Sequence, residues 1–351
     1  MRMTGKYGDR RGVCPATPGV AAPEAGRDVV VDMSKHFERA LVIGGAGFIG
    51  SHLCEHLLGQ GTEVVCLDNF VTGSPDNVAQ LAGVPEFRLV RHDVTEPFRV
   101  DGEFDLVVGL ASPASPRHYL RLPIETLEAG AFGTRNALEF AEKHSARFLL
   151  ASTSEVYGDP TEHPQRESYW GQVNPIGPRS VYDEAKRYAE ALTAAWFRSR
   201  AGDVAIARIF NTYGPRMQAD DGRMIPTFIR QALAGDPITI QGDGEQTRSV
   251  CYVDDTVRGL VALAGSGHPG PVNIGNPHEL CVREMAEQIR DLVGSASPIR
   301  HEAAAVDDPR RRCPDISLAK ESLGWEPRVS LWDGLTRTID SVRGEPIAAG
   351  R

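Results

Sequence analysis

Thr153, Ser154 and Glu155 stand in a row in LLASTSEVYGDP, where a buried strand gives out. Two hydroxyls and a carboxylate at a strand end are groups for holding and moving protons. Tyr182 and Lys186 follow in YDEAK, and the i, i+4 spacing puts both on one face of a helix. A tyrosine, with a pKa of about 10, is a poor base at neutral pH. A nearby ammonium stabilises the phenolate and lowers that value. A surface Tyr and Lys on an amphipathic helix would give the same pattern by chance. Position makes this pair specific: it comes one crossover after the strand that ends in Thr153.

A second set of residues binds rather than reacts. Gly44, Gly47 and Gly50 lie between an apolar strand and a helix in ALVIGGAGFIGSHLCEHLL. Gly44 allows a tight turn, Gly47 lets backbone N–H groups approach a pyrophosphate, and Gly50 lets helix and strand pack closely. Asp68 ends the next strand, placed to accept from a ribose 2′-hydroxyl and to repel a 2′-phosphate. Together they predict a dinucleotide site that favours NAD over NADP. A merely flexible turn is the competing reading; the strand, the helix and Asp68 weigh against it.

The elements that must position these residues alternate. From Arg39 the chain reads strand, glycine turn, helix from Gly47 to Leu58, then the strand TEVVCLD. FRLVRHDV, DLVVGLAS, RFLLAST and VAIARIFNTYG read as further strands. PIETLEAGAFGTRNALEFAEKH and SVYDEAKRYAEALTAAWFRSR read as helices between them. Strands apolar on both faces suit a parallel sheet covered by helices. The fold class is therefore α/β, a Rossmann-type doubly wound parallel sheet with a smaller C-terminal α/β substrate region. The NAD-binding domain is expected over 37–213 and the substrate-binding region over 214–343, part of 249–275 returning to the first domain. Residues 344–351 read as a tail. Residues 1–36, rich in Gly, Pro and charge, read as a disordered leader, with Met33 a candidate true start.

The totals narrow the function. The 351 residues are 41% apolar and carry a net charge of −9, against a general nucleic-acid surface. No apolar run approaches the roughly 18 residues of a membrane span. The six cysteines include no CxxC pair, so no metal site is expected and a reduced cytoplasm is the simplest setting. An anionic small ligand remains open, given a local basic pocket.

The GxxGxxG spacing resembles the short-chain dehydrogenase/reductase superfamily, with Ile43 where a Thr is usual. The set Thr153, Tyr182 and Lys186 resembles its catalytic triad, which implies that Tyr182 takes a sugar hydroxyl proton while hydride leaves for NAD⁺. The resemblance implies further cofactor contacts: Phe48 and Ile49; Asn69, Phe70, Thr72 and Gly73; Asp93 and Val94 at the adenine; Leu110 and Ser112 at the ribose. In the related nucleotide-sugar 4,6-dehydratases the strand ends Thr-Asp-Glu, and the Asp protonates a leaving hydroxyl. Here Ser154 stands there and cannot act as that acid. A 4-epimerase would usually carry neither carboxylate. Thr-Ser-Glu points instead to a sugar acid, whose oxidation at C4 makes a β-keto acid that loses CO2.

ASTSEVYGDP, HPQRESYWGQVNPIGPRSVYDEAKR, ARIFNTYGPRM and DDPRRRCPD then look like UDP-glucuronate decarboxylase, over about Arg39 to Val342. That resemblance implies conversion of UDP-glucuronate to UDP-xylose and/or UDP-4-keto-pentose, with another 4,6-dehydratase or 4-epimerase as the alternative. An NAD-binding sensor without turnover is a third class, and the retained Tyr and Lys argue against it. The resemblance makes Arg179, Arg216, Arg223, Arg248 and Arg312 candidates for the anionic substrate, Arg248 and Arg312 at the diphosphate. Asn211 is implied at the diphosphate and Asn174 in a loop over the sugar; Tyr119 is implied near the sugar, with a loop tyrosine packed on the sheet as the equal alternative. It also implies a homodimer, paired through the helices that start at Pro123 and Ser180.

Departures cluster in one helix. TLEAGAFGT stands where the family reads something like TLKTNTIGT, so Glu128, Ala129 and Gly130 replace Lys, Thr and Asn. Glu128 near a substrate carboxylate would repel it unless it turns away. Gln241 and Cys313 replace a usual aromatic residue and a usual Lys.

Overall fold

β1 (Arg39–Ile43), β2 (Glu63–Asp68), β3 (Phe87–Arg91), β4 (Leu106–Gly109), β5 (Arg147–Thr153) and β6 (Val204–Ile209) are apolar runs bounded by turns. In the computed structural model, which describes residues 36–200, 202–220, 222–303 and 311–344, they join the strand Val272–Ile274 in one seven-stranded sheet. The order is β3-β2-β1-β4-β5-β6 and then Val272–Ile274, every pair parallel. This is the doubly wound parallel sheet the sequence predicts. The leader and Met33 lie outside the described residues, apart from His36, as does the tail, apart from Gly344. Gly344 itself ends the helix Leu331–Gly344 rather than opening a tail.

Period-two alternation explains why both faces are covered. Ala40 and Val42 of β1 and Val64 and Cys66 of β2 face one helical layer, with Leu53, Cys54 and Leu57 of α1 (Phe48–Gly59). Leu41, Ile43, Val65 and Leu67 face the other, with Ala137, Leu138 and Ala141 of the helix Thr134–Lys143 and Ala189 and Trp196 of the helix Ser180–Arg200. Each fully buried Leu or Val contributes about 1.5–3 kcal/mol relative to exposure. The helix Val253–Gly265 packs on the sheet and delivers the strand Val272–Ile274 to the open side of β6.

The expected helix over 123–144 has three parts. An α-helix spans Pro123–Glu128, a π-turn Ala129–Gly133, and an α-helix Thr134–Lys143. The wide turn coincides with the departures in TLEAGAFGT. A Cβ on Gly130 would lie 2.7 Å from the Ala185 carbonyl oxygen, so only glycine lets the two helices approach this closely.

Strand order reverses between β1 and β4, and a doubly wound sheet opens its crevice at that point. The loop after β1 crosses it: the Gly44 N–H donates to Leu67 O at 2.7 Å, and the Leu110 N–H to Ile43 O at 2.8 Å.

Candidate active site

The crevice has two ends that share Gly44, Gly47, Thr72, Leu110 and Ser112 as wall. One end is built largely of backbone and acids. A Cβ on Gly44 would meet Ala111 N at 2.6 Å, and one on Gly50 would meet Gly44 O at 2.2 Å. A Cβ on Gly47 would touch only Gly44 O, at 3.2 Å, so the space before Gly47 is left to a ligand. Asp68 accepts from the N–H groups of Ala46 (3.0 Å) and Phe70 (2.8 Å), and burial raises its pKa against those bonds. Asn69 donates to Asp93 at 2.9 Å, and Asp93 also takes the Thr95 hydroxyl at 2.7 Å. Burial pushes the Asp93 carboxyl up, but these bonds outweigh it and leave it lowered.

Asp68, Asn69, Gly73, Asp93 and Val94 all line this end. So do Glu125 and Glu128, unassigned in the sequence reading or expected elsewhere. Among the described residues that line it there is neither Lys nor Arg. Phe70 is a correction: at φ +62° it turns its ring to the hydrophobic core, under Arg91, and Val71 lines the wall instead. Glu128 faces this end and not the wall formed by Glu155 and Tyr182. The Ser112 hydroxyl is buried with no partner among the described residues. An unpartnered hydroxyl, the space before Gly47 and the Asp68 carboxylate suit a dinucleotide's ribose and pyrophosphate.

The other end holds the reactive set. Thr153, Ser154, Glu155, Tyr182 and Lys186 line it together with Phe48 and Ile49. Asn211, Arg216 and Arg223 complete the wall from the chain after β6. The strand end and the helix face therefore meet as their spacing implied. Tyr182 is buried, with its hydroxyl bonded to Thr153. Its ring stacks on Tyr119, centroids 5.4 Å apart and planes 9° apart. Tyr119 thus buttresses Tyr182 from within the core and does not line the cleft.

The sequence expectation for the phenol is corrected. The Lys186 ammonium donates to Ala151 O at 2.9 Å and lies 5.9 Å over the Tyr182 ring. Burial raises the Tyr182 pKa, and the Thr153 bond only partly opposes it. Lys186 itself is lowered to about 8 by burial, against the pull of Glu190.

Glu155 sits in an arginine clamp. Arg179 donates to it at 2.9 Å, and Arg312 pairs with it at 3.2 Å. Burial would raise its pKa, but Arg312 and Arg179 outweigh burial and hold it at about 2. Arg312 also donates to the Ser154 hydroxyl and the Gly158 carbonyl, each at 3.0 Å. It is 2% exposed. The structure seats the Arg312 guanidinium against the strand end, on Ser154 and Glu155, and not in the wall of the cleft. Asp183, next to Tyr182, is pushed up to about 7, first by burial and then by Glu155.

Arg216 of the cleft wall is tied back to α1, while Arg248 and Asn174 lie outside it. Arg216, at φ +67°, pairs with Glu55 of α1 and reaches Asn77 O at 3.4 Å. Arg248 donates to Thr247 O at 2.8 Å and stands behind Glu155 rather than in the wall. Asn174 is exposed, its side chain accepting from the Ile176 and Gly177 N–H groups. Sequence reasoning missed His118 and Gln218 in the wall. Gln218 donates to Thr72 O at 2.8 Å across a turn with no local signature. His118 bonds the Ser115 hydroxyl at 2.8 Å, and the S-x-x-H start of its helix was the available signal.

Residues 40–275 match the NAD dependent epimerase/dehydratase family. The chain belongs to that family. Within it, the chain is 50% identical over 315 residues to UDP-glucuronic acid decarboxylase 1 of Arabidopsis thaliana, covering 90% of this chain and 72% of that one. It is 52% identical over 311 residues to UDP-glucuronic acid decarboxylase 1 of Xenopus tropicalis, covering 89% and 73%. Among solved family members, the Bacillus cereus UDP-glucuronic acid 4-epimerase in complex with UDP-glucuronic acid and NAD superposes with a TM-score of 0.78. Its identity is 29%, over 87% of this chain and 99% of that one. The Streptomyces venezuelae dTDP-glucose 4,6-dehydratase with NAD bound gives 0.79 at 30% identity, over 87% and 97%.

Proposed function

We propose that the protein decarboxylates UDP-glucuronate through a UDP-4-keto-hexuronate, giving UDP-xylose and/or UDP-4-keto-pentose. The deciding feature is Ser154, tied to Arg312 where a dehydratase would need an acid. Without that acid a C6 hydroxyl has no proton donor, whereas loss of CO2 needs none. The family and the curated relatives at half identity support the substrate.

A nicotinamide dinucleotide bound at the glycine end supplies the hydride acceptor at C4 and, oxidised, the positive charge that favours the Tyr182 phenolate. Tyr182 takes the C4 hydroxyl proton, and Thr153 holds that oxygen. The new carbonyl lies β to the C6 carboxylate. The C5–C6 bond then breaks, CO2 leaves, and the bonding pair delocalises onto the C4 oxygen. C5 must next gain a proton; UDP-xylose further requires the hydride to come back to C4 while Tyr182 returns the proton to its oxygen, and without that return the product is UDP-4-keto-pentose. Glu155 stays ionised across the neutral range, so it accepts from and orients a water that relays a proton to C5 and is itself reprotonated from bulk solvent, the net proton taken up as CO2 leaves. We assign Asn211 to the diphosphate and Arg223, in the same wall, to the anionic substrate.

Asp68, Asp93, Glu125 and Glu128 make the dinucleotide end acidic, which favours NAD over a 2′-phosphorylated cofactor. The 37–213 and 214–343 division puts this end in the first part. A homodimer is supported by exposed Ile124, Leu127 and Phe132 beside Tyr188 and Phe197 on the neighbouring helix. Among the described residues no helix is long and apolar enough to cross a membrane. We place the protein in the cytoplasm, where the five described cysteines stay reduced.

Mass spectrometry of products from UDP-glucuronate with NAD⁺, read beside NADH absorbance, tests this. UDP-pentose without net NADH is the expected result. UDP-keto-pentose with matching NADH would mean that the hydride does not return. Unchanged substrate mass would overturn the decarboxylase.

A further inference from the structure

Behind the arginine clamp lies a buried polar chain that the proposed chemistry does not use. It starts on the catalytic helix at Glu190, two turns past Tyr182. Glu190 accepts from Ser152 Oγ at 2.6 Å and from the Arg208 fork at 2.9 and 2.8 Å. Arg208 also donates to the Tyr157 hydroxyl and to Glu167 O, each at 3.0 Å. The Tyr157 hydroxyl donates to Asn273 Oδ1 at 2.8 Å. Asn273 Nδ2 donates to Gln165 O and Asp315 O, each at 3.0 Å.

The chain ends on the segment that carries Arg312. Gln165 brackets it: its N–H donates to Cys313 O at 2.9 Å, and its side chain accepts from Cys313 N at 2.8 Å. Its carbonyl accepts from Asp315 N at 2.9 Å. Tyr157, Gln165 and Asn273 are all fully buried. An arginine fork is only as well placed as the backbone beneath it. This backbone is held by Gln165 and by the Ser249 N–H on Arg312 O at 3.1 Å, and Asn273 locks the Gln165 and Asp315 carbonyls to each other.

We propose that Tyr157 and Asn273 are positioning residues for Arg312. They fix the backbone beside it, and so hold its guanidinium on Ser154 and Glu155. The inference rests on Glu155 as the working carboxylate. The groups that face Glu155 are Arg312, Arg179, Arg248 from the strand Thr247–Ser249, and Asp183 and Tyr182 on the catalytic helix. Of these, Arg312 is the one whose flanking backbone Asn273 ties through Gln165 and Asp315; its own carbonyl also takes the Ser249 N–H, next to Arg248, at 3.1 Å. A loosened Arg312 leaves Glu155 less stabilised as an anion, so its titration moves up toward the ordinary carboxylate range.

Tyr157→Phe keeps the ring against Tyr169 and Phe210 and removes two hydrogen bonds. Asn273→Asp keeps the acceptor for Tyr157 but turns a carboxylate oxygen toward two carbonyls. In both, the acid limb of the kcat profile should rise by about one pH unit. The kcat should fall about tenfold, with KM for UDP-glucuronate within about twofold. NMR titration of 13C-labelled glutamate carboxyls, with Glu155→Gln as the blank, should show the same rise without any turnover. A lower melting temperature with the limb, the carboxyl titration and kcat per folded molecule unchanged would overturn the proposal. If the wild type leaves UDP-glucuronate untouched, the decarboxylase reading fails, and the carboxyl titration still decides the role of Asn273.

Discussion

The two ends of the crevice are made in opposite ways. The dinucleotide end is mostly main chain, with glycines placed so that a Cβ would strike backbone. The reactive end is a side-chain cluster, in which Glu155 and Arg312 meet across 157 positions of sequence. Backbone sites follow from local conformation, so one strand-turn-helix builds them. Charge clusters follow from tertiary packing, and each member depends on the seating of the others. The reactive end should therefore respond sharply to single side-chain changes, and the dinucleotide end only mildly.

Replacing Glu155 breaks the reactive end most directly. Glu155→Gln should lower kcat by about 10²–10⁴-fold. Dinucleotide affinity, read by fluorescence titration, should stay within about twofold. An equal loss of dinucleotide binding would mean that the two ends are not separable.

Arg312→Met comes next, because it leaves a buried carboxylate with one arginine fewer. It should cost about 3–5 kcal/mol in urea unfolding. The sign with pH follows from a depressed folded pKa. Stability from the clamp is present above the ordinary carboxylate value and is lost as pH falls through about 2. The difference between wild type and Arg312→Met should accordingly be largest near neutrality and shrink below about pH 4.

The dinucleotide end should give smaller numbers. Asp68→Asn should narrow the preference for NAD over NADP by about tenfold, near 1.4 kcal/mol. Paired Kd measurements check it, and an unchanged ratio would take Asp68 out of the ribose contact. Smallest is Glu128→Lys, which places a cation among the three remaining acids, Asp68, Asp93 and Glu125. It should tighten dinucleotide binding by about two- to threefold at low salt and by less as screening rises.

The same contrast explains what could be read beforehand. The glycines, Asp68, the i, i+4 pair and the alternation of strands are local patterns, and the sheet and the dinucleotide wall were legible from them. Arg312 was visible as a candidate, but nothing near DDPRRRCPD says that its side chain turns inward to Ser154. Glu128 was read as repelling a substrate carboxylate unless it turns away, and it lines the dinucleotide end instead. The π-turn shifts the helix facing in a way that a 3.6-residue period does not predict. Tyr119 was read as either near the sugar or a packed loop tyrosine; it is packed, and its stacking on Tyr182 depends on a helix packing that the sequence does not encode locally.

The last strand of the sheet carries a consequence for how the chain is made. β6 ends at Ile209, but its outer neighbour begins only at Val272. On the ribosome, the growing chain must wait through the whole intervening stretch with that flank of the sheet bare. A bare parallel edge is a template for stray pairing. Messages cut short anywhere between those two points should yield insoluble product, while one that runs past Ile274 closes the flank.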